Sequence, residues 1–397
     1  MLGGEGCVVN KLSRPVFFVM LLGLVSLCAD MTYEGARSIT GSFLGTLGAS
    51  GAVVGFVSGL GELVGYALRL VSGYLSDRTR RYWLLTFTGY TVNLLAVPLL
   101  ALTGHWLLAS TLIVLERLGK AIRTPARDAM LSHATKQMGH GWGFGLHEAM
   151  DQIGAVLGPL MVFAMLSYRN EYRLGFAVLL LPALLALITL GIARMQFPCP
   201  HELETKADAL QTRGFNQTYW VYLGAVGLVA AGYADFPLMA YHFAKAGVVA
   251  PSYVALFYAL AMGVDAIGAL VLGRLFDRIG FYALILATAV SAAFAPAAFL
   301  GGLYGAIFGA ILWGVGMSAQ ESVMRATVAQ LVPTERRGTG FGVFHTVYGL
   351  AWFVGSALMG WLYDRSVLAL VSFSALTQLA AMLVFIGLAR RHNRYLH

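Results

Sequence analysis

The chain is dominated by uninterrupted apolar stretches, each long enough to cross a lipid bilayer as a helix. The hydrocarbon core is about 30 Å thick and a helix rises about 1.5 Å per residue, so one span needs about 20 apolar residues. Continuous stretches of this length also exclude barrel strands, which alternate polar and apolar residues. Twelve such stretches occur, at residues 15–38, 50–73, 82–103, 105–127, 141–166, 173–194, 218–243, 251–274, 281–300, 302–327, 339–362 and 366–389.

The charge content agrees with a membrane protein. Only 12% of the residues are charged, whereas soluble domains carry roughly 25%. The three cysteines, Cys7, Cys28 and Cys199, are too scattered for a disulfide framework or a zinc site. The sequence therefore predicts an all-α membrane protein with twelve transmembrane helices and excludes a soluble enzyme or a disordered chain.

Lys and Arg residues are distributed unevenly between the two sides of the predicted membrane. Twelve spans place both termini on one side, and that side carries 18 of the 27 Lys and Arg residues. The opposite side carries Arg169, Arg173, Lys245 and Arg365. The positive-inside rule then predicts a multi-pass protein of the cell inner (cytoplasmic) membrane with both termini cytoplasmic. This asymmetry accounts for the net charge of +8, so nucleic-acid binding is not needed to explain it.

Short segments in equivalent positions indicate an internal repeat. Residues 73–78 read Gly-Tyr-Leu-Ser-Asp-Arg and residues 273–278 read Gly-Arg-Leu-Phe-Asp-Arg, each after the second span of its half. Gly-Phe-Gly occurs at residues 143–145 and again at 340–342, before the fifth and eleventh spans. Duplicated halves are common in transporters. The pattern predicts two pseudo-symmetric bundles of six helices.

The domain boundaries follow from this repeat and from the longest polar segment of the chain. We expect an N-terminal six-helix bundle over residues 1–196, a cytoplasmic linker over 197–217 and a C-terminal six-helix bundle over 218–397. The linker is too short to hold a folded domain of its own.

The loop between the second and third spans closely resembles the signature loop of the major facilitator superfamily. It reads Gly73-x-Leu75-x-Asp77-Arg78-x-x-Arg81, although Arg80 stands where the family usually has glycine. A degenerate copy follows the eighth span. The resemblance implies a conformational latch that holds the cytoplasmic helix ends together; a purely topological role of the basic residues is the alternative. The predicted latch residues are Gly73, Asp77, Arg78, Arg81, Gly273, Asp277 and Arg278.

Fourteen charged residues lie within the predicted spans, where each costs at least about 2.5–3.5 kcal/mol to insert. The third, sixth, ninth and twelfth spans carry none of them. The family resemblance implies that these four helices are peripheral and that the others line a central cavity. Nine of the fourteen are acids: Asp30, Glu34, Glu62, Glu116, Glu148, Asp151, Asp235, Asp265 and Glu321. Five are bases: Arg37, Arg69, Arg117, Lys120 and Arg325.

The excess of acids favours proton coupling, because a carboxylate facing a cavity can load and release a proton near neutral pH. Asp30 and Glu34 lie four residues apart on one helix face and are the first candidates; Glu148 and Asp151 are the second. His147 is either a proton relay or a packed histidine. The predicted proton-coupling and cavity residues are Asp30, Glu34, Arg37, Glu62, Glu116, Arg117, Lys120, His147, Glu148, Asp151, Asp235, Glu321 and Arg325.

Some of these charges have a structural interpretation. Glu116 with Lys120, and Glu321 with Arg325, have the i, i+4 spacing of intrahelical ion pairs, which we favour over a functional role for them. Asp265 is equally compatible with an interhelical hydrogen bond.

The sequence thus predicts a secondary transporter that works by alternating access, is coupled to protons, and exports a small amphiphilic or cationic organic compound. Export is favoured slightly because Gly154-x-x-x-Gly158-Pro159 resembles the front half of an antiporter pattern, although close helix packing also explains it. The alternatives are proton-coupled uptake of an organic anion, bound by Arg37, Arg117 or Lys120, and lipid handling by the same fold.

Two other classes are disfavoured. An enzyme is disfavoured because no Ser/His/Asp set, metal cluster or phosphate loop has a usable spacing in the sequence. A channel needs no duplicated conformational lock. The expected partners are a small-molecule substrate, protons and the lipid bilayer, with no nucleic acid. We expect a monomer without a cofactor or metal.

Overall fold

The computed structural model describes residues 13–79, 81–135, 140–198, 215–332 and 337–394, and within these ranges every regular element is a helix. Twelve spans, α1 to α12, follow one another. The first six are α1 (Ser13–Thr46), α2 (Gly51–Thr79), α3 (Tyr82–Leu99), α4 (Trp106–Thr135), α5 (His140–Arg169) and α6, which consists of Tyr172–Val178 and Leu180–Gln196. We call these six spans the N half.

The last six spans form what we call the C half. They are α7 (Gln217–Ala231 and Phe236–Lys245), α8 (Pro251–Ile279), α9 (Phe281–Ser291 and Phe294–Leu300), α10 (Gly302–Ser318, continuing to Leu331), α11 (Arg337–Arg365) and α12 (Val367–Arg394). Most of the expected linker lies outside the described residues.

Eleven of the spans are long and apolar enough to cross a membrane. The remaining one, α4, is 30 residues long but carries six charged residues. Several helices run past the predicted apolar stretches, most of all α1, α2 and α4. The sequence prediction ended α4 at residue 127, whereas the helix continues to Thr135. Apolar composition marks the part of a helix inside the bilayer, but the backbone hydrogen bonds continue beyond it.

The two halves meet along three pairs of helices: α1 with α7, α2 with α11, and α5 with α8. The helices α3, α6, α9 and α12 pack mainly within their own half and expose leucines such as Leu84, Leu181, Leu286 and Leu383 on their outer faces. The absence of charges from their predicted membrane spans therefore corresponds to a peripheral position, as the family resemblance implied.

Both chain termini lie on one side of the bundle, which we call the termini side. On the other side, which we call the opposite side, the two halves touch closely. A Cβ atom built on Gly41 of α1 would lie 1.7 Å from the carbonyl oxygen of Pro237 in α7. One built on Gly55 of α2 would lie 2.3 Å from the carbonyl oxygen of Ser356 in α11. The carboxylate of Asp364 at the end of α11 accepts hydrogen bonds from the first amides of α2, at 2.9 and 2.7 Å. The structure is thus closed on the opposite side.

Two interruptions of helical geometry lie near the middle of the C half. The first is in α7, which is broken before Asp235; the Asp235 side chain accepts a hydrogen bond from the amide of Phe236 and so caps the second segment. The second is a π-helical turn at Ala319–Val323 in α10. Broken helices and π turns place backbone and side-chain polar groups at membrane depth, and they occur frequently at functional sites.

Candidate functional site

A cavity of about 550 Å³ lies between the halves. It follows α4 towards the termini side as far as Leu131, and residues of α1, α2, α5, α8, α10 and α11 complete its wall. All of the thirteen predicted cavity residues line it except Glu116 and Asp235. Those two border a much smaller cavity of about 30 Å³, next to Arg37 and Pro237.

The balance of charge in the main cavity differs from the sequence prediction. Its wall contains eight acidic side chains and seven Lys or Arg side chains. The near-balance arises because Arg123 and Arg127, which the sequence prediction assigned to the cytoplasmic surface, lie on α4 within the cavity wall. The predicted excess of acids is therefore largely offset, and it no longer favours a cationic substrate.

The first candidate acids, Asp30 and Glu34, are held by tyrosines. The Tyr33 hydroxyl donates a hydrogen bond to Asp30, within α1. The Tyr258 hydroxyl, on α8 of the C half, donates one to Glu34. The Lys120 ammonium group lies 4.0 Å from the Glu34 carboxylate and 3.9 Å from the centre of the Tyr33 ring. Glu34 therefore has partners in both halves of the molecule.

A second charge network closes the cavity towards the opposite side. Arg37 bridges the halves: its Nη2 atom is 2.7 Å from Asp235 in the C half and 3.0 Å from Glu62 in the N half. Arg117 continues the network, 3.4 Å from Glu62 and 3.2 Å from Glu116. All five side chains are largely buried. Because each charge has an opposite partner, the network offsets the high cost of placing ions in the membrane.

The prediction of two intrahelical ion pairs from residue spacing is wrong, because neither pair forms in the structure. Glu116 pairs with its neighbour Arg117 and accepts a hydrogen bond from Asn93 of α3 at 2.7 Å, while Lys120 is directed towards Glu34. Glu321 and Arg325 do not approach within 4 Å of each other. The π turn that includes Glu321 alters the side-chain register on which the i, i+4 expectation depends.

His147 belongs to a buried chain of hydrogen bonds that the sequence did not reveal. Its Nε2 atom is 2.9 Å from the Ser26 hydroxyl, and its Nδ1 atom is 3.5 Å from Asp151. Arg127 donates a hydrogen bond to the same hydroxyl at 3.0 Å. Ser26, His147 and Asp151 are linked in the order of a hydrolytic triad. However, Ser26 has no exposed surface, and its hydroxyl oxygen already accepts the hydrogen bond from Arg127. The arrangement ties α1, α4 and α5 together.

The glycines of the antiporter-like segment lie against α1. A Cβ atom on Gly154 would be 2.2 Å from the carbonyl oxygen of Leu27, and one on Gly158 would be 2.2 Å from that of Met31. Small residues are therefore required for α5 to approach α1 next to Asp30. Packing alone accounts for this part of the motif.

The predicted latch residues lie at the termini side, in the last turns of α2 and α8 and in the connection that follows α2. Arg78, Asp277 and Arg278 are exposed, and none of them forms an ion pair with another described residue. Gly73 packs next to Pro125 of α4. Arg81 is exposed at the start of α3, the side chain of Asp77 is outside those described, and Arg80 lies outside the described residues altogether.

Sequence reasoning missed several cavity residues. Tyr66, Gln152, Tyr258 and Tyr348 line the wall without carrying a charge, and they could not be distinguished from interfacial aromatic or packed polar residues. Asp128, which also lines the wall, lies one residue beyond the predicted end of the fourth span and was therefore not among the predicted cavity residues. In the part of the chain that the structure describes, no group of three His, Cys, Asp or Glu side chains could hold a metal ion.

Comparisons with known proteins agree with this architecture. A family model described as Major Facilitator Superfamily matches residues 22–356. A protein of Mycobacterium tuberculosis (strain ATCC 25618 / H37Rv), itself called uncharacterized, is 40% identical over 378 residues, covering 94% of this chain and 92% of the relative. An uncharacterized MFS-type transporter of Methanocaldococcus jannaschii is 26% identical over 371 residues, 90% of each chain. The crystal structure of the peptide transporter POT in complex with sulfate is similar in fold, with a TM-score of 0.75 and 15% identity over 95% of this chain and 94% of that one.

Proposed function

The chain belongs to the major facilitator superfamily and is a membrane transporter, and we propose that it is a proton-coupled secondary transporter for a small organic compound. Transport proceeds by alternating access: the two halves rock about the central cavity, which opens first to one side and then to the other. Asp30 and Glu34 carry the protons, and export of the substrate against an inward flow of protons is the direction we favour.

The observation that carries this proposal is the position of Glu34. It is a buried carboxylate in the N half whose hydrogen-bond donor, Tyr258, belongs to the C half. A change in its protonation therefore directly alters a contact between the moving bodies. A ligand shifts a conformational equilibrium only by interacting differently with the two states. A proton at Glu34 meets this condition.

The structure is closed on the opposite side and has its cavity directed to the termini side. We take the termini side as the cytoplasm, because it carries most of the basic residues. The structure then corresponds to the inward-open state. Asp277 and Arg278 are exposed and form no ion pair with another described residue, which fits this state because a cytoplasmic latch has to open before the cavity can.

The cavity favours a solute over a bilayer lipid. A lipid would need a lateral gap between the halves. The seam between α2 and α11 is packed from Gly55 against Ser356 to Tyr66 against Gly349. The seam between α5 and α8 includes Phe163 against Tyr253, with ring centres 5.8 Å apart. Both seams lie beside a cavity wall with fifteen charged side chains, which is unsuited to acyl chains.

Reconstituted proteoliposomes test the coupling. Purified protein is first screened with small organic acids, amines and zwitterions for compounds that raise its unfolding temperature. The flux of the most stabilising compound into or out of the proteoliposomes is then measured under imposed pH gradients of either sign. We expect the wild-type protein to accumulate the compound against its gradient and to lose this ability when an ionophore dissipates the pH gradient. The sign that drives accumulation distinguishes export from uptake.

Variants locate the coupling. Glu34→Gln and Asp30→Asn should retain exchange of the compound but lose accumulation driven by the pH gradient. Glu171→Gln, an exposed carboxylate at the opposite side, is the matched control and should behave as wild type. Accumulation that does not respond to the pH gradient, or that survives in both cavity variants, would contradict the proposal.

A further inference from the structure

Three arginines in the cavity wall lack the carboxylate partners that neutralise the other basic side chains, and two of the three face the cavity. Arg37, Arg117, Lys120 and Arg127 each lie within 4.0 Å of a carboxylate. Among the described residues, Arg69 and Arg325 have no such ion pair, and the Nε atom of Arg69 is buried without an acceptor.

Arg123 also lacks an ion pair, but its surroundings differ. Its side chain is only 1% exposed, and its guanidinium carbon lies 4.2 Å from the centre of the Tyr90 ring. Arg123 is thus a buried part of the wall that packs on an aromatic face, whereas Arg325 is exposed to the cavity and Arg69 is half-buried.

Arg69 and Arg325 come from different halves and flank the same aromatic surface. Arg69 of α2 places its guanidinium carbon 4.9 Å from the centre of the Tyr66 ring. Arg325 of α10 lines the same cavity as Tyr66 and as Tyr348 of α11. Tyr66 packs against His345 and Tyr348 of α11, with ring centres 5.5 and 5.4 Å apart.

The aromatic surface is held in place by the π turn of α10. The Tyr348 hydroxyl donates a hydrogen bond of 2.9 Å to Gln320, and the Gln320 amide donates one of 3.1 Å to the carbonyl oxygen of Gly316. The wall next to the two arginines is therefore preorganised, which lowers the entropic cost of binding a ligand there.

The two guanidinium groups face the same cavity without a direct ion pair among the described residues. A positive charge without a direct ion pair is costly to place in a membrane protein, so such charges mark substrate pathways. Guanidinium groups bind carboxylates and phosphates through two parallel hydrogen bonds. Cavity acids such as Glu148 and Glu321 act on Arg325 from a distance but do not form an ion pair with it. An incoming anion therefore does not have to displace an existing partner.

We propose that Arg69 and Arg325 together bind a carboxylate or phosphate group of the transported solute, whose apolar part packs against Tyr66 and Tyr348. This inference rests on the proposed function in that the cavity is taken as the transport pathway. Because the arginines belong to opposite halves, an anion that bridges them draws α2 and α10 together at the termini side. The bound solute thereby promotes closure of the side from which it entered.

Four small probes of similar shape test the site: benzoate and phenyl phosphate are anions, benzamide is neutral and benzylammonium is a cation. Their binding to the full-length protein in detergent is measured through the rise in unfolding temperature, at constant ionic strength. We expect saturable stabilisation by the two anions. Arg69→Gln and Arg325→Gln should each weaken the apparent affinity about 10- to 100-fold, since each removes a charged hydrogen bond.

Three further variants keep the result interpretable. Arg69→Lys and Arg325→Lys retain the charge and should bind the anions more tightly than the glutamine variants do. If a glutamine variant fails to fold, the lysine variant at that position is compared with the wild type and should bind more weakly, because lysine cannot form two parallel hydrogen bonds with the anion. Arg274→Gln removes an exposed arginine at the same side and should bind as wild type.

The proposal is overturned if benzamide or benzylammonium stabilises the protein as well as benzoate does, or if both glutamine variants bind the anions with unchanged affinity. A further measurement compares nanodiscs of phosphatidylglycerol with nanodiscs of phosphatidylcholine. The proposal is also overturned if arginine-dependent stabilisation appears only in phosphatidylglycerol and free anions do not compete with this lipid for the site. That result would assign the site to a lipid headgroup. The binding measurement needs neither a gradient nor flux, so it can fail independently of proton coupling.

Discussion

The ion pair between Arg37 and Asp235 joins the halves at the closed side, and its removal should shift the conformational equilibrium. The pair has an N–O distance of 2.7 Å, and its side chains are 10% and 3% exposed. Asp235→Asn removes the charge but keeps an oxygen that can accept the amide hydrogen bond of Phe236, so the break in α7 should persist. Opening of the opposite side requires this pair to separate.

The magnitude follows from burial and from the remaining partner of Arg37. Removal of one partner of a buried ion pair costs about 3–5 kcal/mol when the other charge is left uncompensated. Arg37 retains Glu62 at 3.0 Å, so we expect a smaller loss of about 1–3 kcal/mol from the state closed on the opposite side. This loss corresponds to a shift of about 5- to 150-fold towards the state open on that side.

Distances between spin labels measure this shift. Tyr168 at the end of α5 and Tyr304 at the start of α10 are 76% and 84% exposed and lie on the opposite side in different halves. We would label cysteines at both positions after replacing the three native cysteines with serine. Asp235→Asn should increase the population with the longer distance, whereas the control Glu171→Gln should not. Unchanged distributions in Asp235→Asn would refute the role of the ion pair as an interdomain lock.

Three further substitutions have defined outcomes. Gly41→Ala should increase the same long-distance population, because its new methyl group meets the backbone of Pro237. The control Gly65→Ala in α2 should not, because its methyl group meets no atom within 4 Å. Equal effects of the two substitutions would contradict the close-contact argument. Asp364→Asn should shift the equilibrium in the same direction by a smaller amount, about 1 kcal/mol or less, because this carboxylate is exposed and acts through helix-terminal amides. Asn93→Ala should lower the free energy of unfolding by about 1–3 kcal/mol in denaturant titrations, since it breaks a buried hydrogen bond to Glu116 within the N half. The label distances should not change. A change in them would show that α3 takes part in the transition.

The sequence predicted the helical architecture because bilayer thickness imposes a length and a composition on each span. It also placed the charged helices around a cavity, since charges such as Asp30 and Glu62 remain in a membrane only where they find water or a partner. These inferences depend on solvation, which acts on each residue independently of its distant neighbours.

The pairing of the charges could not be predicted in this way. Lys120 was matched with Glu116 on its own helix, but its nearest carboxylate is Glu34 on α1. The link from Glu34 to Tyr258 joins residues 224 positions apart in the chain. Such contacts are set by the packing of helices against each other and by local departures such as the π turn before Arg325. Helical spacing alone does not contain this information.

The central claim is that protonation of Glu34 shifts the equilibrium between the two open states. The most direct test measures the label distance on the opposite side, and that of a second pair on the termini side, in mildly acidic and mildly alkaline buffer. We predict that the wild-type protein changes both distributions with pH and in opposite senses, and that Glu34→Gln responds less to pH than the wild type does. A wild-type protein whose distances do not respond to pH, or a Glu34→Gln variant that responds as wild type does, would contradict the account.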